Sequence, residues 1–168
     1  FKILKKNTIN YSLINIFNYG IADIEGEKIL NQNIESSSSS INSLKKNSKY
    51  YKKKYLFLNL FNFKDVEKKI EINVLRLDEF MISNKIDKID LIKIDTEGYE
   101  LNVLKSLEKK IQNIKIIHFE HHFDDMIIKN YKFSDIHNYL LINGFQKIFK
   151  IKMKFRKSFE YIYVNKEY

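Results

Sequence analysis

The chain has 168 residues, 44% of them hydrophobic and 14% aromatic, enough for one domain with its own core. It contains no cysteine, which excludes disulfides, thiolate catalysis and Cys-ligated zinc, and no apolar run long enough to cross a bilayer. The formal charge of +9 invites a nucleic-acid reading, but nearly all of it is lysine, with arginine only at Arg76 and Arg156.

Proline and tryptophan are also absent, alanine occurs once (Ala22), and Asn, Ile and Lys are abundant. An A/T-rich coding sequence imposes that bias. The lysine surplus therefore predicts solubility and weak, salt-sensitive attraction to polyanions rather than a specific nucleic-acid partner. The opening Phe1-Lys2-Ile3-Leu4-Lys5-Lys6 lacks the pattern of a secretion signal, so a cytoplasmic location is expected.

Along the chain, residues 1–11 read as the tail of a helix, and residues 12–23 as a short strand through Ile14 and Ile16 that closes near Gly20. GEKIL (26–30) suits a second short strand. The serine-rich, then lysine-rich stretch 35–54 is the least ordered on composition, and 35–69 reads as a flexible or irregular insertion. Ile70, Ile72 and Val74 alternate with polar residues as in a strand, and a short helix follows over 78–83.

Next come strand 89–94, a helix over 99–111 with Leu101, Leu104, Leu107 and Ile111 on one face, and strand 114–120. Ser134 is positioned to cap a helix carrying Ile136 and Leu140, and Gly144 falls where a helix-ending glycine belongs. FQKIFKIKM and SFEYIYVNK predict a C-terminal antiparallel hairpin. Strand–helix–strand units imply parallel pairing with right-handed crossovers, so the expected fold is α/β with a mostly parallel sheet.

Ligands of open α/β sheets bind beyond the carboxyl ends of the strands. Three groups fall at such ends: Asp95 with Glu97, then Glu120, His121 and His122, then Ala22 with Asp23. Neighbouring strands lie about 4.8 Å apart, so Asp95 and Glu120 could share a pocket. Lys93 lies on Asp95's face of the strand and needs a carboxylate or a ligand to justify it. Against this, Thr96 could cap the next helix, with Glu97 and Glu100 complementing its positive end at roughly 0.3–1 kcal/mol each. That account suffices for Glu100 but not for Asp95 or Lys93.

His118, Glu120 and His122 share one strand face and could in principle bind zinc or manganese. One histidine packed under the sheet with another solvated is favoured over a metal, and Glu120 or His121 as pocket wall is favoured over either. His137 reads as surface. The four glycines are too scattered for a GxGxxG or P-loop, so no nucleotide fingerprint is present.

Leu77-Asp78-Glu79-Phe80 followed by DLIKIDTEGYELNVLK (90–105) resembles the signature of FkbM-type methyltransferases. That signature commonly reads LDD and a hydrophobic residue, a spacer, then DLIKIDVEGAELEVLKG. NIFNYGIADIEGEKIL (15–30) is similar to the family's strand with A-L-x-D and x-G, and IIHFEHH to its next strand, ending Glu-x-His. Ser106 stands where the family often has glycine. The family's glycine-rich DVGANxG loop and the acidic residue ending the following strand have no counterpart in the sequence. Residues 1–168 therefore read as a single partial domain that begins after those strands, an expectation consistent with the opening Phe1.

The resemblance implies a Rossmann-like class I methyltransferase fold with its N-terminal strands missing, and O-methyl transfer from S-adenosylmethionine to a hydroxyl of a small or glycan-like acceptor. On it, Asp95 is the base or acceptor-positioning group, Glu97 orients it, Lys93 keeps it ionised, and Ala22 and Asp23 lie near the adenine. Glu120, His121 and His122 face the acceptor. Two other readings stay open at this point. One is a non-catalytic polyanion- or nucleic-acid-binding module using lysines 45–54 and 147–157 with interleaved aromatics. The other is a metal-dependent hydrolase built on Asp95, Glu120 and His122.

Overall fold

Strands form where isoleucine, valine and aromatic residues alternate with polar ones. The computed structural model, which describes residues 1–32, 39–59, 68–154 and 156–168, arranges them in two sheets. Helix α1 (Lys2–Thr8) precedes β1 (Gly20–Ile21) and β2 (Gly26–Gln32); α2 (Lys49–Asn59), β3 (Lys68–Leu75) and α3 (Leu77–Ser83) follow. Then come β4 (Ile89–Ile94), α4 (Glu100–Lys105), a 3-10 turn (Glu108–Asn113), β5 (Ile114–His122), α5 (Phe133–Ile142), β6 (Phe145–Lys152) and β7 (Ser158–Asn165).

The first sheet has the order β1-β3-β2, with β1 parallel and β2 antiparallel to β3. The second has the order β4-β5-β7-β6. There β4 and β5 pair in parallel, and β7 pairs antiparallel with both β5 and β6. The expected mostly parallel sheet needs correcting, because three of the five pairings between described strands are antiparallel. Only β4 and β5 pair in parallel as expected of a strand–helix–strand unit; β6 runs in the same sense, but the returning arm of the C-terminal hairpin wedges β7 between β5 and β6.

Other expectations shift in detail. No strand forms through Ile14 and Ile16, whose stretch stays irregular, and Ile14 is exposed. Within the stretch read as an irregular insertion, residues 49–59 form α2; residues 33–38 and 60–67 lie outside the described residues. The helix expected over 99–111 is broken into α4 and the 3-10 turn, where Glu108 takes φ +44°. Lys132, not Ser134, is the N-cap of α5; its backbone N–H donates to the Asp135 carboxylate at 2.7 Å. Gly144 follows α5 with φ +83°, as a helix-ending glycine should.

The core lies between one face of the second sheet and helices α4 and α5. Phe119, Tyr161 and Tyr163 stack across β5 and β7 with ring centroids 5.5 and 5.8 Å from Phe119, and Leu104, Leu107, Ile111, Ile136 and Leu140 close over them. Each such aliphatic side chain contributes about 1.5–3 kcal/mol on full burial. Arg76 joins the sheets: its guanidinium donates to Asp78 (2.8 Å), Glu108 (2.6 Å) and the carbonyls of Asp23 and Ser106. A planar fork with five donors can serve four acceptors, which one lysine ammonium cannot. That explains an arginine in so lysine-rich a chain.

Candidate functional site

Strand β4 ends at Ile94, and the next residues turn sharply. Glu97 takes φ +49° and Gly98 φ +94°, two consecutive left-handed residues. Gly98 cannot be replaced without movement, since a Cβ there would sit 2.6 Å from Ile127 Cγ2. The turn is pinned from outside: the Ser40 hydroxyl donates to the Glu97 carbonyl (2.7 Å) and the Asn42 amide to the Gly98 carbonyl. It is pinned from within by Glu100. This fully buried carboxylate accepts from Gly98 N–H (2.7 Å), the Thr96 hydroxyl (3.3 Å) and the Tyr131 hydroxyl (2.6 Å).

Asp95 and Glu97 are thereby sent to different places. Asp95 is exposed, has no hydrogen bond or ion pair to any described residue, and lines a cleft of about 320 Å³ with Thr96 and Tyr99. Phe17, Tyr19, Ile21, Leu30, Ile41 and Ile72 form the rest of its wall, together with Asn18, Gly20, Ser39 and Ser40. Glu97 is buried and faces His122, with Oε2 3.1 Å from Nε2. Glu120 Oε1 lies 3.4 Å from the same nitrogen, and Asp124 Oδ2 3.3 Å from Nδ1. One histidine thus carries three buried carboxylates.

The electrostatics follow. Burial pushes His122 down, but the Asp124 hydrogen bond and the Glu97 and Glu120 charges outweigh it and hold the imidazole above its ordinary value. Burial raises Glu97, opposed by His122 and reinforced by Asp95 and Glu120. Burial also raises Asp124, yet its bonds to His122 and to Met126 N–H win and lower it.

The remaining candidates are dispersed. His121 points to the opposite, core-facing side among Phe123, Tyr131 and Phe133, and burial with nearby Lys129 lowers it to about 3. His118 pairs with Glu160 at 3.2 Å. His137, read as surface, is half-buried with Nδ1 2.8 Å from the Tyr163 hydroxyl. Lys93 turns to Glu160 at 3.9 Å rather than to Asp95, with its side chain half exposed. Ala22 is fully buried, and Asp23 accepts from the Tyr99 hydroxyl and from Asn102 (2.9 Å), bonds that outweigh burial and lower it. Asp23 therefore latches the first sheet to α4.

Among the described residues no group of three or more His, Asp or Glu side chains is arranged to hold a metal ion, and no helix is long and apolar enough to cross a membrane. Sequence reasoning missed Asp124, Tyr131, Ser40 and Asn42, and gave Glu100 a surface role. Asp124 had a signal, two residues after His122 in a run of polar residues; Ser40 had none, as one serine among five.

No curated protein and no solved structure matches the chain. The model of the Methyltransferase FkbM domain, however, matches residues 3–147, which include β4, the left-handed turn, the cleft residues and the His122 cluster. The chain belongs to the FkbM methyltransferase domain family.

Proposed function

We propose that the protein transfers a methyl group from S-adenosylmethionine to a hydroxyl of a small-molecule or glycan-like acceptor, within a Rossmann-like methyltransferase fold. The observation that carries this reading is Asp95: a carboxylate without a described partner, on the cleft wall of a chain in this family. The cleft also fits the cofactor chemically. Its volume lies at the lower end of small-molecule sites, roughly 300–1,000 Å³. It sets a carboxylate and several neutral polar side chains (Asn18, Ser39, Ser40, Thr96) against aromatic and aliphatic walls, as an amphiphilic cation with a purine ring requires. Asp95 and Thr96 would hold the cofactor's polar groups, and Phe17 and Tyr19 its ring. S-adenosylmethionine supplies an electrophilic methyl on a sulfonium whose departure leaves a neutral thioether.

The chain's own contribution is alignment and a base. Asp95 accepts the hydroxyl proton as the acceptor oxygen bonds to carbon, and the rigid turn over 95–98 keeps its carboxylate in place. Glu97 orients that turn through His122 rather than by touching the acceptor. Glu120 and His122 act only through Glu97 and the turn, and His121 faces the core instead of the acceptor. The test is methyl transfer from radiolabelled S-adenosylmethionine to a panel of sugars and hydroxylated small molecules, with calorimetry for cofactor binding. Absence of both binding and transfer would sink the reading.

A further inference from the structure

We propose that the free edge of β6 is a docking site for an extended acidic segment of another protein, which pairs with it as a further strand of the second sheet. This surface is separate from the cleft and does not depend on the methyl-transfer reading. Among the described strands β6 has β7 as its one neighbour, so the backbone groups along its other side have no ladder partner. Of its residues only Phe145 is buried.

The side chains of the edge sort by face. Lys147, Lys150 and Lys152 stand opposite Tyr163, Tyr161 and Phe159, alternate residues on one face of β7. Directly opposed residues project to the same side, so the three lysines share one face. An unbroken strand would put Lys147 and Lys150 on opposite faces; the register shift between Lys147 and Phe149 re-aims them together. Phe149 and Ile151, opposite Ile162 and Glu160, project to the other face and are 48% and 47% exposed. One side of the edge is cationic and the other apolar.

That charge is uncompensated. None of the three lysines forms an ion pair with a described residue; Lys147 and Lys150 rest over the rings of Phe133 and Phe159. No carboxylate occurs between Asp135 and Glu160, while Lys154, Arg156 and Lys157 follow before β7. The lysine row guards the edge against a second copy of itself, since two β6 strands would set like charges across from one another. The same row attracts a strand whose acidic residues alternate with apolar ones. Its carboxylates meet the lysines, and its valine or isoleucine side chains cover Phe149 and Ile151. Main-chain bonds supply the affinity of such a pairing and alternate side chains its specificity.

The test titrates the 168-residue chain with a capped peptide alternating glutamate and valine. Its controls are an isomer with all glutamates first and an N-methylated copy of the alternating form. We expect the alternating peptide to bind and to slow hydrogen exchange of amides in residues 149–152. The isomer, equal in charge, should bind more weakly, and the N-methylated copy, which cannot form the ladder, should not bind. Lys150→Glu should weaken the alternating peptide about 3- to 10-fold, as turning a favourable cross-strand charge pair into a like pair predicts. Lys150→Arg should keep binding. Lys109→Glu, an equal charge change at an exposed position of the 3-10 turn, should leave it unchanged.

The inference is overturned if the alternating peptide does not bind, or if the isomer or the N-methylated copy binds as well. It is overturned equally if Lys109→Glu weakens binding as much as Lys150→Glu, or if self-association already protects the β6 amides. Stronger protection of those amides by oligouridylate than by the peptide would assign the edge to nucleic acid instead.

Discussion

His122 Nε2 sits 3.1 Å from Glu97 Oε2, with both side chains buried, so the end of β5 is tied directly to the left-handed turn after β4. Asp124 holds the other ring nitrogen and fixes the ring's orientation. Ser40 and Asn42 grip the backbone of the same turn, and the segment that carries them pairs with the chain beyond Asp124, through Lys45 N–H to Met126 and Ile128 N–H to Ser43. The cluster joins three chain segments around the left-handed turn.

This arrangement predicts stability that falls on both sides of neutrality. His122 is raised in the folded state, so its contribution is full below 6.5 and lost as pH rises through its folded pKa. Glu97, also raised, acts in the same direction once pH exceeds 4.5. His121 is lowered to about 3, so the unfolded chain binds the proton first and stability is lost as pH falls from 6.5 toward 3. Thermal unfolding between pH 4 and 9 should show both limbs, each on the order of a few kcal/mol at most. His122→Gln should flatten the alkaline limb and His121→Phe the acid limb. Unchanged slopes in both variants would show that other groups titrate.

Gly98→Ala should be among the most damaging single substitutions. It places a side chain at φ +94° and drives its Cβ to 2.6 Å from Ile127 Cγ2. Conformational and overpacking costs together come to roughly 2–4 kcal/mol in urea unfolding. Adding Ile127→Ala should recover the clash but not the backbone strain, so the double variant should be less damaged than the sum of its parts.

Much of this was legible in the sequence where one rule acted alone. β4 matches its expected span because Ile89–Ile94 has no competing local signal, and the C-terminal hairpin follows from alternation. The order β5-β7-β6 was not legible, since alternation gives a strand's faces and not its neighbours. Asp95 and Glu97 were recognised as a pair, but their separation into cleft and interior depends on two positive φ values, only one of which a glycine announces. Glu100 looked like a first-turn helix charge. It is instead the buried hub of the turn, because Tyr131, 31 residues away, supplies the bond that satisfies it.

The lysine surplus should leave a salt-sensitive signature only. Lys147, Lys150 and Lys152 are exposed on β6, and Lys150 rests over the Phe159 ring at 4.3 Å; Phe145, Tyr161 and Tyr163 are buried in the core, and Phe149 alone of the described aromatics on β6 and β7 is exposed, too few for a row of stacking platforms. Binding to DNA or RNA should be independent of sequence and gone near 200 mM salt, where electrostatic complexes have lost most of their affinity. Filter binding across a salt series checks this. Tight complexes that survive 200 mM would favour the polyanion-binding reading.

Asp95→Asn and Glu97→Gln should separate cleanly, because the turn sends the two carboxylates to opposite sides. Asp95 is exposed and free of described partners, so Asn should leave thermal unfolding within about 0.5 kcal/mol, as surface substitutions usually do. If Asp95 is the base, methyl transfer should nonetheless fall by roughly 10²–10⁴-fold. Glu97 faces His122 rather than the first amides of α4, so its loss acts through the buried pair and not the helix dipole. Gln there leaves His122 with Glu120 and Asp124, and should cost about 1–3 kcal/mol, the penalty for a buried polar group losing its partner. Its effect on transfer should be smaller than that of Asp95→Asn and should track the folded fraction. If Asp95→Asn unfolds the protein while activity per folded molecule is unchanged, Asp95 serves the turn alone and the base must be sought elsewhere in the cleft.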